Sequence, residues 1–486
     1  MTRIAILGGG ISGLTAAYEL ELARKRGAPI DWHLYEAADR LGGIIETTRH
    51  STPEGEYILE GGPDAWVTEK PWATELAIEL GLEDQLIYSN DATRKTYILR
   101  NHQLLPIPDR MRLMVPEDLS ALDDSPLFST SAKAAYAREL ARADELRAAA
   151  PTTDGSIASF VRRHFGDEVL TTLAAPLLSG VFGGDVHKLS VRAVMPQFVA
   201  MEREHGSLIL ALQQRQKNLS PQPIFTSLHN GMGSLIEALI SMLPNERLHT
   251  THNIEHIGDL RSDHTLLAAS LDATRTLLQP LDVDAAELLP TEASSAILVS
   301  LAWSPSVART FTLSPGFGFL VPPLHSDRRH PKRSEGPPHF ARGGEKLQLP
   351  TESEPRLLAC TFVDQKFPHR APANARILRA FFGGPTADAL ASQPNATITH
   401  AAITQLRTVL GPIPEPAFTT IRRLPRSLPQ YEIGHLDRMA ELEALISQTP
   451  GLHLLGNSYR GVGLPDLIRD ARTTARQLIT SLSTHD

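Results

Sequence analysis

Apolar and polar positions in the first fifty residues predict a strand, a turn, a helix and a second strand. Residues 3–7 are mostly apolar, four glycines lie among the six residues at 8–13, and 14–25 has apolar positions at helical spacing. Residues 31–36 return to the strand pattern. This order is typical of the first βαβ unit of a doubly wound parallel sheet.

Related patterns return twice further along the chain. A glycine turn, a helix and a strand are predicted within 224–260, and residues 452–481 predict a strand, a glycine loop and a helix. The economical interpretation is an α/β chain, α+β in part, with one discontinuous nucleotide-binding domain. We expect this domain to be assembled from three stretches: 1–90, 225–275 and 440–486.

The residues between these stretches have a different character. Helical periodicity in 69–82 and 131–149, together with a capped helix start at 154–165, predicts several helices. We therefore expect a helical and substrate-binding region over 91–224. The remaining stretch, 276–439, is expected to form an inserted substrate-binding domain.

One segment of the second inserted stretch stands apart in composition. Residues 324–355 are rich in Pro, Gly, Arg and His and poor in apolar residues. Such a composition predicts a mobile loop between two strands. A basic segment that binds a partner is the alternative, and the composition favours a solvated insertion over it.

Composition narrows the class of protein. Hydrophobic residues make up 42% and charged residues 21% of the 486 residues, the balance of an ordinary soluble protein. The net charge of −8 argues against a nucleic-acid partner. The single cysteine permits no intramolecular disulfide, and no secretion signal or membrane-spanning window is found, so a cytoplasmic location is expected. Peripheral contact with the inner face of the cell membrane and a homodimer are left open.

The first glycine turn satisfies the pattern G-x-G-x-x-G between a strand and a helix. Gly8 allows the tight turn, Gly10 lets the backbone approach a pyrophosphate, and Gly13 allows close packing of helix and strand. Ile11 and Ser12 begin the helix, whose N-terminal N–H groups and dipole favour phosphate. The turn therefore predicts a dinucleotide site in preference to a glycine turn without a ligand.

A carboxylate at the end of the second strand refines the cofactor prediction. Glu36 lies where an acidic side chain accepts hydrogen bonds from a ribose diol. It would repel a 2′-phosphate, so NADP is disfavoured. These residues alone do not separate NAD from FAD.

Four segments resemble the family of FAD-dependent amine oxidases and their relatives. They are Arg40-Leu41-Gly42-Gly43, Glu60-Gly61-Gly62-Pro63-Asp64, Leu248 to Ile257, and Gly456 to Asp466. In that family the first segment continues the dinucleotide-binding signature and the second lies near the flavin. The third forms a strand at the adenine end, and the fourth forms the C-terminal flavin loop. The resemblance implies a Rossmann-like FAD-binding domain, noncovalent FAD, and these further contacts: Arg40, Gly42, Gly43, Gly61, Gly62, Pro63, Asp64, Ile254, Gly456, Asn457, Gly461, Val462, Gly463 and Leu464.

Other segments are similar to a narrower family, the protoporphyrinogen and coproporphyrinogen oxidases of haem biosynthesis. They are 70–73, 177–190, 202–208, 316–322, 367–372 and 429–435. The resemblance covers nearly the whole chain and implies oxidation of a porphyrinogen with molecular oxygen as acceptor. Coproporphyrinogen III and protoporphyrinogen IX both remain open, because they differ only by propionate or vinyl groups at two ring positions.

The same resemblance implies residues on the substrate side. Leu320 and Phe381 correspond to residues that flank the macrocycle, with burial in a core as the alternative. Thr361 stands where the family has a second leucine. Gly180 and Gly183 belong to one of the similar segments and are assigned to the substrate as well.

A propionate anchor is less well defined in this sequence. In the mitochondrial enzymes a basic residue directly before an aromatic residue binds a propionate. Here Thr96 precedes Tyr97, and Arg94 and Lys95 lie just upstream. We expect these two residues to be either the anchors or ordinary surface charges.

The mechanism that the resemblance implies belongs to the cofactor. A porphyrinogen loses six electrons in becoming aromatic, so three hydride transfers to the flavin N5 are expected, and no catalytic acid or base is predicted. The 19 histidines show no spacing typical of a metal site.

The sequence leaves two alternatives to a porphyrinogen oxidase. An amine oxidase is disfavoured because Cys360 is far in sequence from the C-terminal loop, where Tyr459 is the only aromatic residue. A nonenzymatic protein with a flavin fold is the alternative from a different class. It would not need the intact glycine segments and Glu36.

Overall fold

The computed structural model describes residues 1–215, 223–323 and 355–483. The expected loop at 324–355 therefore lies outside the described residues, apart from its last position. The strands are β1 (Thr2–Leu7), β2 (Ile30–Tyr35), β3 (Thr47–Thr52), β4 (Gly55–Glu60), β5 (Trp66–Val67), β6 (Leu86–Tyr88), β7 (Thr96–Arg100), β8 (Gln103–Pro106), β9 (Met111–Arg112), β10 (Val115–Pro116), β11 (Phe225–Leu228), β12 (Leu248–His249), β13 (His264–Leu267), β14 (Ala293–Trp303), β15 (Gly318–Leu320), β16 (Ala359–Phe362), β17 (Arg376–Gly383), β18 (Phe418–Pro429) and β19 (Leu452–Leu454).

The α-helices of the same residues include an uninterrupted series between β10 and β11. They are α1 (Ile11–Lys25), α2 (Trp72–Glu79), α3 (Thr130–Ala141), α4 (Ala143–Ala148), α5 (Ile157–Val169), α6 (Ala175–Phe182), α7 (Val191–Val194), α8 (Pro196–His205), α9 (Leu208–Arg215), α10 (Gly233–Ser241), α11 (Leu271–Leu278), α12 (Val283–Leu288), α13 (Pro305–Ala308), α14 (Val363–Lys366), α15 (Pro385–Leu390), α16 (Asn395–Leu410), α17 (His435–Ile446) and α18 (Leu464–Ser483).

A five-stranded parallel sheet confirms the predicted α/β class. Its order is β12-β2-β1-β13-β19, so it takes strands from the beginning, the middle and the end of the chain. The helices α1, α10 and α18 pack apolar residues into the core next to this sheet. As in other doubly wound sheets, the ligand-binding edge is expected at the carboxyl ends of the strands.

Several predicted element boundaries are wrong. The strand expected from Leu248 to Ile257 ends at His249, because the next backbone N–H groups, of Thr251 and His252, donate to the carbonyls of Ala38 and Glu36. The first helix begins at Ile11 rather than at residue 14.

Three predicted helices are also shorter or divided. The helix expected over 69–82 is confined to Trp72–Glu79. The stretch 131–149 divides into two helices at Arg142, whose φ of −101° and ψ of 21° leave the helical range. The helix expected from residue 154 begins at Ile157, because the Ser156 hydroxyl accepts the N–H of residue 159 and caps it.

A seven-stranded mixed sheet forms the second large layer. Its order is β18-β14-β17-β16-β15-β7-β8, with β15 and β7 parallel and the other pairs antiparallel. One face of the sheet is apolar and buried; among its residues are Val299, Phe319, Cys360, Phe362 and Phe382. Because side chains alternate along a strand, the opposite face carries a separate set of residues.

Helices α3, α5, α6, α8 and α9 pack around a further apolar core. At its centre the fully buried His164 ring bonds Glu139 at 3.0 Å and Glu202 at 3.1 Å. Burial opposes protonation of this ring, but the two carboxylates raise its pKa. The polar network therefore fixes how these helices meet.

The last helix returns to the first. Arg472 of α18 donates to Glu19 of α1 over 2.6 Å, and Arg476 donates to the same carboxylate over 2.9 Å. Both Glu19 and Arg472 are buried. This contact ties the end of the chain to the helix that follows the first glycine turn.

Removing one partner of this buried pair should destabilise the fold. For Arg472→Met we expect a loss of about 3 kcal/mol in the free energy of unfolding, because Glu19 would keep only Arg476. Arg142→Met is the matched control, since the exposed Arg142 pairs with Glu145 on the surface and should change stability by less than about 0.5 kcal/mol. Urea unfolding measures both, and equal midpoints for the two variants would contradict the assignment.

Candidate functional site

The first glycine turn has the shape that its sequence predicts. Gly8 has a φ of +110°, and a Cβ there would collide with the carbonyl of Ala268 at the end of β13. A Cβ on Gly13 would collide with the Gly8 carbonyl, which accounts for the third glycine. A Cβ on Gly10 would meet nothing within 4 Å, so the N-terminus of α1, which begins at Ile11 and Ser12, has free space beside it.

The carboxylate of Glu36 is joined to this turn. Its Oε2 accepts the N–H of Gly9 at 2.7 Å, and its Oε1 accepts the N–H of Ala38 at 2.8 Å. The backbone of His252 donates to the Glu36 carbonyl, and the expected adenine contact Ile254 lies half-buried two residues further on. The structure thus brings the 249–254 segment beside Glu36 as a loop rather than as a strand.

The loop after β2 closes over the turn. A Cβ on Gly43 would lie 3.2 Å from the Gly10 Cα, so these two backbones touch. Gly42 has a φ of +105°. The Arg40 guanidinium donates to the carbonyls of Gly43 and Ile45, which means that Arg40 holds the shape of its own loop.

The segment that follows β4 continues the same backbone contacts. A Cβ on Gly62 would collide with the carbonyl of Ile44, next to Gly43 in the chain. Gly61 lies against Glu46 and Arg422, and a Cβ on Gly61 would lie 3.5 Å from the nearest atoms of both. Pro63 and Asp64 are half-buried. The predicted residues from Gly8 to Asp64 therefore form one continuous backbone cradle.

Five charged side chains meet behind this cradle and form what we call the buried charge cluster: Glu60, Asp64, Lys366, Arg370 and Arg379. Lys366 donates to Asp64 over 2.9 Å, Arg370 lies 3.2 Å from Glu60, and Arg379 donates to the Gly62 carbonyl. Burial opposes ionisation of Asp64, but the Lys366 ammonium and then the Arg379 guanidinium hold its pKa at about 2. Burial raises the pKa of Glu60. The cluster joins the cradle to strand β17 of the mixed sheet.

The C-terminal loop is fixed by an aromatic pair. The Tyr431 hydroxyl donates to the Asn457 carbonyl over 2.7 Å and accepts the N–H of Gly461 over 3.0 Å. The His435 ring stacks on Tyr431 with centroids 3.8 Å apart, and its Nε2 bonds the Tyr459 carbonyl at 2.9 Å. Burial lowers the pKa of His435 to about 4, so the ring is neutral near pH 7.

The glycines of this loop allow close backbone packing. Gly461 has a φ of +152°, and Cβ atoms on Gly461 or Gly463 would lie 3.0 Å from Asp466. Gly456 has a φ of +121°. The remaining predicted residues, Val462 and Leu464, stand at the N-terminal start of α18, where free N–H groups favour an acceptor.

The predicted substrate contacts Leu320, Thr361 and Phe381 lie on one face of the mixed sheet. Leu320 pairs with Ala359, and Ala359 pairs with Phe381, so these residues form a row across β15, β16 and β17. Thr361 lies two residues from Ala359 and shares that face. Leu320, Thr361 and Phe381 are each partly exposed, unlike the buried residues of the opposite face. Helix α6 borders the row, because a Cβ on Gly180 would lie 3.0 Å from Leu320 Cδ2.

Three other predicted substrate residues have different neighbours. Gly183 accepts a 2.6 Å hydrogen bond from Ser294 at the start of β14. Arg94 lies 3.5 Å from Asp91. The side chain of Lys95 is exposed, while its carbonyl accepts the N–H of residue 317. None of these contacts links the three residues to the row of Leu320 and Phe381.

The side chains that support the site are not among the residues that the sequence predicts. Lys366, Arg370, Arg379, Tyr431 and His435 all contact predicted cofactor segments. A signal existed for some of them, since Arg370, Tyr431 and His435 lie in segments that are similar to porphyrinogen oxidases. For Arg379 no such signal existed.

Neither a membrane span nor a metal site is found in the part of the chain that the structure describes. No helix there is long and apolar enough to cross a membrane. Within the same residues, no group of three or more His, Cys, Asp or Glu side chains could hold a metal ion.

Comparison with known proteins agrees with this geometry. The model of the family "Flavin containing amine oxidoreductase" matches residues 11–479. Coproporphyrinogen III oxidase of Bacillus subtilis is 31% identical over 99% of this chain and 98% of its own length, and that of Staphylococcus aureus is 28% identical over 99% and 100%. Chloroplastic protoporphyrinogen oxidase 1 of Arabidopsis thaliana is 27% identical over 99% of this chain and 89% of its own length.

Solved structures show the same architecture. A crystal structure from Exiguobacterium sp. 255-15, described provisionally as a protoporphyrinogen oxidase, has a TM-score of 0.79 at 29% identity and covers 99% of both chains. Putrescine oxidase has a TM-score of 0.62 at 16% identity, again over 99% of both chains, and shows the fold alone. The chain is therefore a flavin-dependent oxidoreductase by family and by fold. It belongs to the flavin-containing amine oxidoreductases and, within them, to the protoporphyrinogen/coproporphyrinogen oxidase family.

Proposed function

We propose that this protein binds FAD noncovalently and oxidises a porphyrinogen, with coproporphyrinogen III as the preferred substrate and molecular oxygen as the acceptor. The observation that carries the proposal is the partly exposed apolar row of Leu320, Ala359 and Phe381. The strand that carries Phe381 also holds the Gly62 loop through Arg379. A large macrocycle needs apolar walls with few polar groups. Similarity to enzymes named coproporphyrinogen III oxidase over nearly the full chain supports this choice of substrate.

FAD fits the backbone cradle better than a smaller nucleotide does. The free space beside Gly10 suits a pyrophosphate, and Glu36 retains lone pairs for a ribose. The loops at 61–64 and 456–464 correspond to the flavin-proximal segments of the FAD-dependent amine oxidases, which a smaller nucleotide would not need.

The environment of the one cysteine in the sequence supports the proposal of noncovalent binding. Cys360 is only 2% exposed and points into the core, away from the face that carries Leu320 and Phe381. Burial also raises the pKa of its thiol well above the ordinary value, so the reactive thiolate is scarce. No cysteinyl link to a flavin can form from this position.

The residues of the chain orient the substrate and exclude water. A bound flavin accepts two electrons at a time, so removing six electrons from a porphyrinogen takes three turns. Leu320 and Phe381 present the apolar wall, and the absence of a side chain at Gly180 lets α6 pack closely against Leu320. We assign no catalytic acid or base, because no titratable side chain lies on this row.

The direct test is a side-by-side assay with both porphyrinogens. We expect purified protein to release intact FAD on denaturation and to form fluorescent porphyrin faster from coproporphyrinogen III than from protoporphyrinogen IX in air. Putrescine and benzylamine serve as amine controls and should leave the oxygen level unchanged. Oxidation of an amine without porphyrin formation, or flavin that stays attached to the denatured chain, would refute the proposal.

A methyl group at Gly10 tests the cofactor cradle. The backbone of Gly10 has a φ of −74°, which alanine adopts freely, and the space beside it is open. Gly10→Ala should therefore keep the stability of the apoprotein within about 0.5 kcal/mol, while the methyl group occupies the place of the pyrophosphate and weakens FAD binding at least about tenfold. Gly258→Ala is the control, since its Cβ also meets nothing within 4 Å. Unchanged FAD affinity in Gly10→Ala, measured by flavin fluorescence titration, would contradict this placement.

Two adjacent phenylalanines allow the proposed substrate wall to be distinguished from the core by mutation. Phe381 is partly exposed on the site face, whereas Phe382 is fully buried on the opposite face. Phe381→Ala should lower kcat/KM at least about tenfold with FAD still bound. Phe382→Ala should instead cost about 3–5 kcal/mol of stability, as truncation of a buried aromatic usually does. If Phe381→Ala unfolds like Phe382→Ala and its folded fraction has normal kcat/KM, the residue belongs to the core and the wall is wrong.

A further inference from the structure

Arg379 is a fully buried cation in the middle of a strand. It is 3% exposed and lies on β17, two residues before Phe381 and on the same face. Its guanidinium donates to the Gly62 carbonyl and lies 4.9 Å from the centre of the Phe381 ring. Arg379 therefore contacts both the cofactor cradle and the apolar wall.

The charge of Arg379 has no carboxylate of its own. Lys366 lies 2.9 Å from Asp64, while Arg379 lies 3.8 Å from the same carboxylate. Arg370 forms an ion pair with Glu60 at 3.2 Å. Three cations thus face two carboxylates, and the Nε of Arg379 has no hydrogen-bond partner among the described residues. The buried charge cluster carries at least one excess positive charge, and more if Glu60 binds a proton.

Within the described residues, the cavity at the cluster leaves too little space for a small counter-anion. The cavity within the cluster is lined by residues that include Glu60, Asp64, Ser300, Arg370 and Arg379 and has a volume of about 10 Å³. That is close to the least space that a single water molecule needs. An uncompensated buried charge is costly, so the compensating negative charge must come from outside the cluster.

The cofactor cradle lies next to the cluster, so a negative charge bound in the cradle can compensate the excess positive charge. Gly62 packs on Ile44, and Gly43 packs on Gly10, so the carbonyl that binds Arg379 belongs to the backbone that surrounds the proposed cofactor. When a flavin takes two electrons and one proton from a substrate, it gains one negative charge. The second proton of the substrate would pass to solvent, and the proposed acceptor, molecular oxygen, would take the two electrons in a later step. Positive charge near a flavin ring favours its reduced form.

We propose that Arg379 is a positioning residue that holds the Gly62 loop and supplies the excess positive charge that stabilises reduced flavin. The inference rests on the proposed cofactor site but not on the identity of the substrate. It explains why a cation is kept 3% exposed beside an apolar wall. It also assigns the cluster a role in setting the flavin reduction potential, in addition to joining the cradle to the mixed sheet.

The test varies the charge of the cluster in both directions in the FAD-loaded protein. Arg379→Gln removes the excess charge but keeps an N–H donor for Gly62, so the two-electron reduction potential should fall by at least about 30 mV, a tenfold change in the redox equilibrium. Asp64→Asn adds an excess charge and should raise the potential. The double variant Arg379→Gln/Asp64→Asn restores the original balance and should return the potential towards that of the unmodified protein.

Controls separate charge from folding. Arg379→Lys keeps the charge and should keep the potential, while Arg407→Gln removes an exposed arginine and should change nothing. Equilibrium photoreduction with a reference dye gives the potential without any porphyrinogen, and the flavin spectrum and thermal unfolding report integrity.

The possible results are distinguishable. A purely structural role predicts that the double variant is worse than either single variant. Equal potentials in Arg379→Gln, Asp64→Asn and the unmodified protein would overturn the inference, even if porphyrinogen turnover is normal. If Arg379→Gln fails to fold, an unchanged reduction potential in Asp64→Asn is sufficient to overturn the inference. The predicted shifts without porphyrin formation would refute the proposed substrate and leave this inference standing.

Discussion

The buried charge cluster fixes how the cofactor cradle meets the mixed sheet. Asp64 follows β4 in the cradle, and its partner Lys366 stands 302 residues later at the end of α14. Burying any one of these charges without a partner would cost several kcal/mol. Lys366 and Arg370 on the mixed-sheet side therefore pair the two carboxylates of the cradle, and separating the two parts would leave these carboxylates buried without a partner. The position of the Gly62 loop against β17 follows from this constraint.

Strand geometry then decides what surrounds the cluster. Because side chains alternate, the residues of β17 divide into a core set and a site set. Phe382 enters the core, while Arg379 and Phe381 share the other face. The strand β17 thus places the cation of Arg379 at the cofactor cradle and the aromatic ring of Phe381 two residues further along. The same division puts Cys360 in the core and Thr361 on the site face.

Local signals in the sequence predicted a large part of this arrangement. The parallel sheet confirms the fold class. The sequence could indicate it because the turn from Gly8 to Gly13 requires glycine where the carbonyls of Ala268 and Gly8 approach the backbone. The family is confirmed by the comparisons, because several separate segments carried the resemblance. The roles assigned to single residues, including Leu320, Phe381, Arg94 and Lys95, stay predictions.

What the sequence did not reveal depends on long-range contacts. The pairing of Asp64 with Lys366 and of Gly62 with Arg379 joins residues more than 300 positions apart, which no periodicity indicates. The predicted strand at 248–257 failed for a related reason, because its backbone donates to Ala38 and Glu36 instead of extending a ladder.

In the proposed reaction, the bound flavin of this protein takes its electrons from a porphyrinogen. Anaerobic mixing of the FAD-loaded protein with coproporphyrinogen III in a stopped-flow spectrometer tests it most directly. Each flavin accepts two of the six electrons, so we predict bleaching of the flavin band together with formation of roughly one porphyrin for every three flavins reduced. A flavin that stays oxidised in the presence of the porphyrinogen, while a chemical reductant bleaches it at once, would contradict the account.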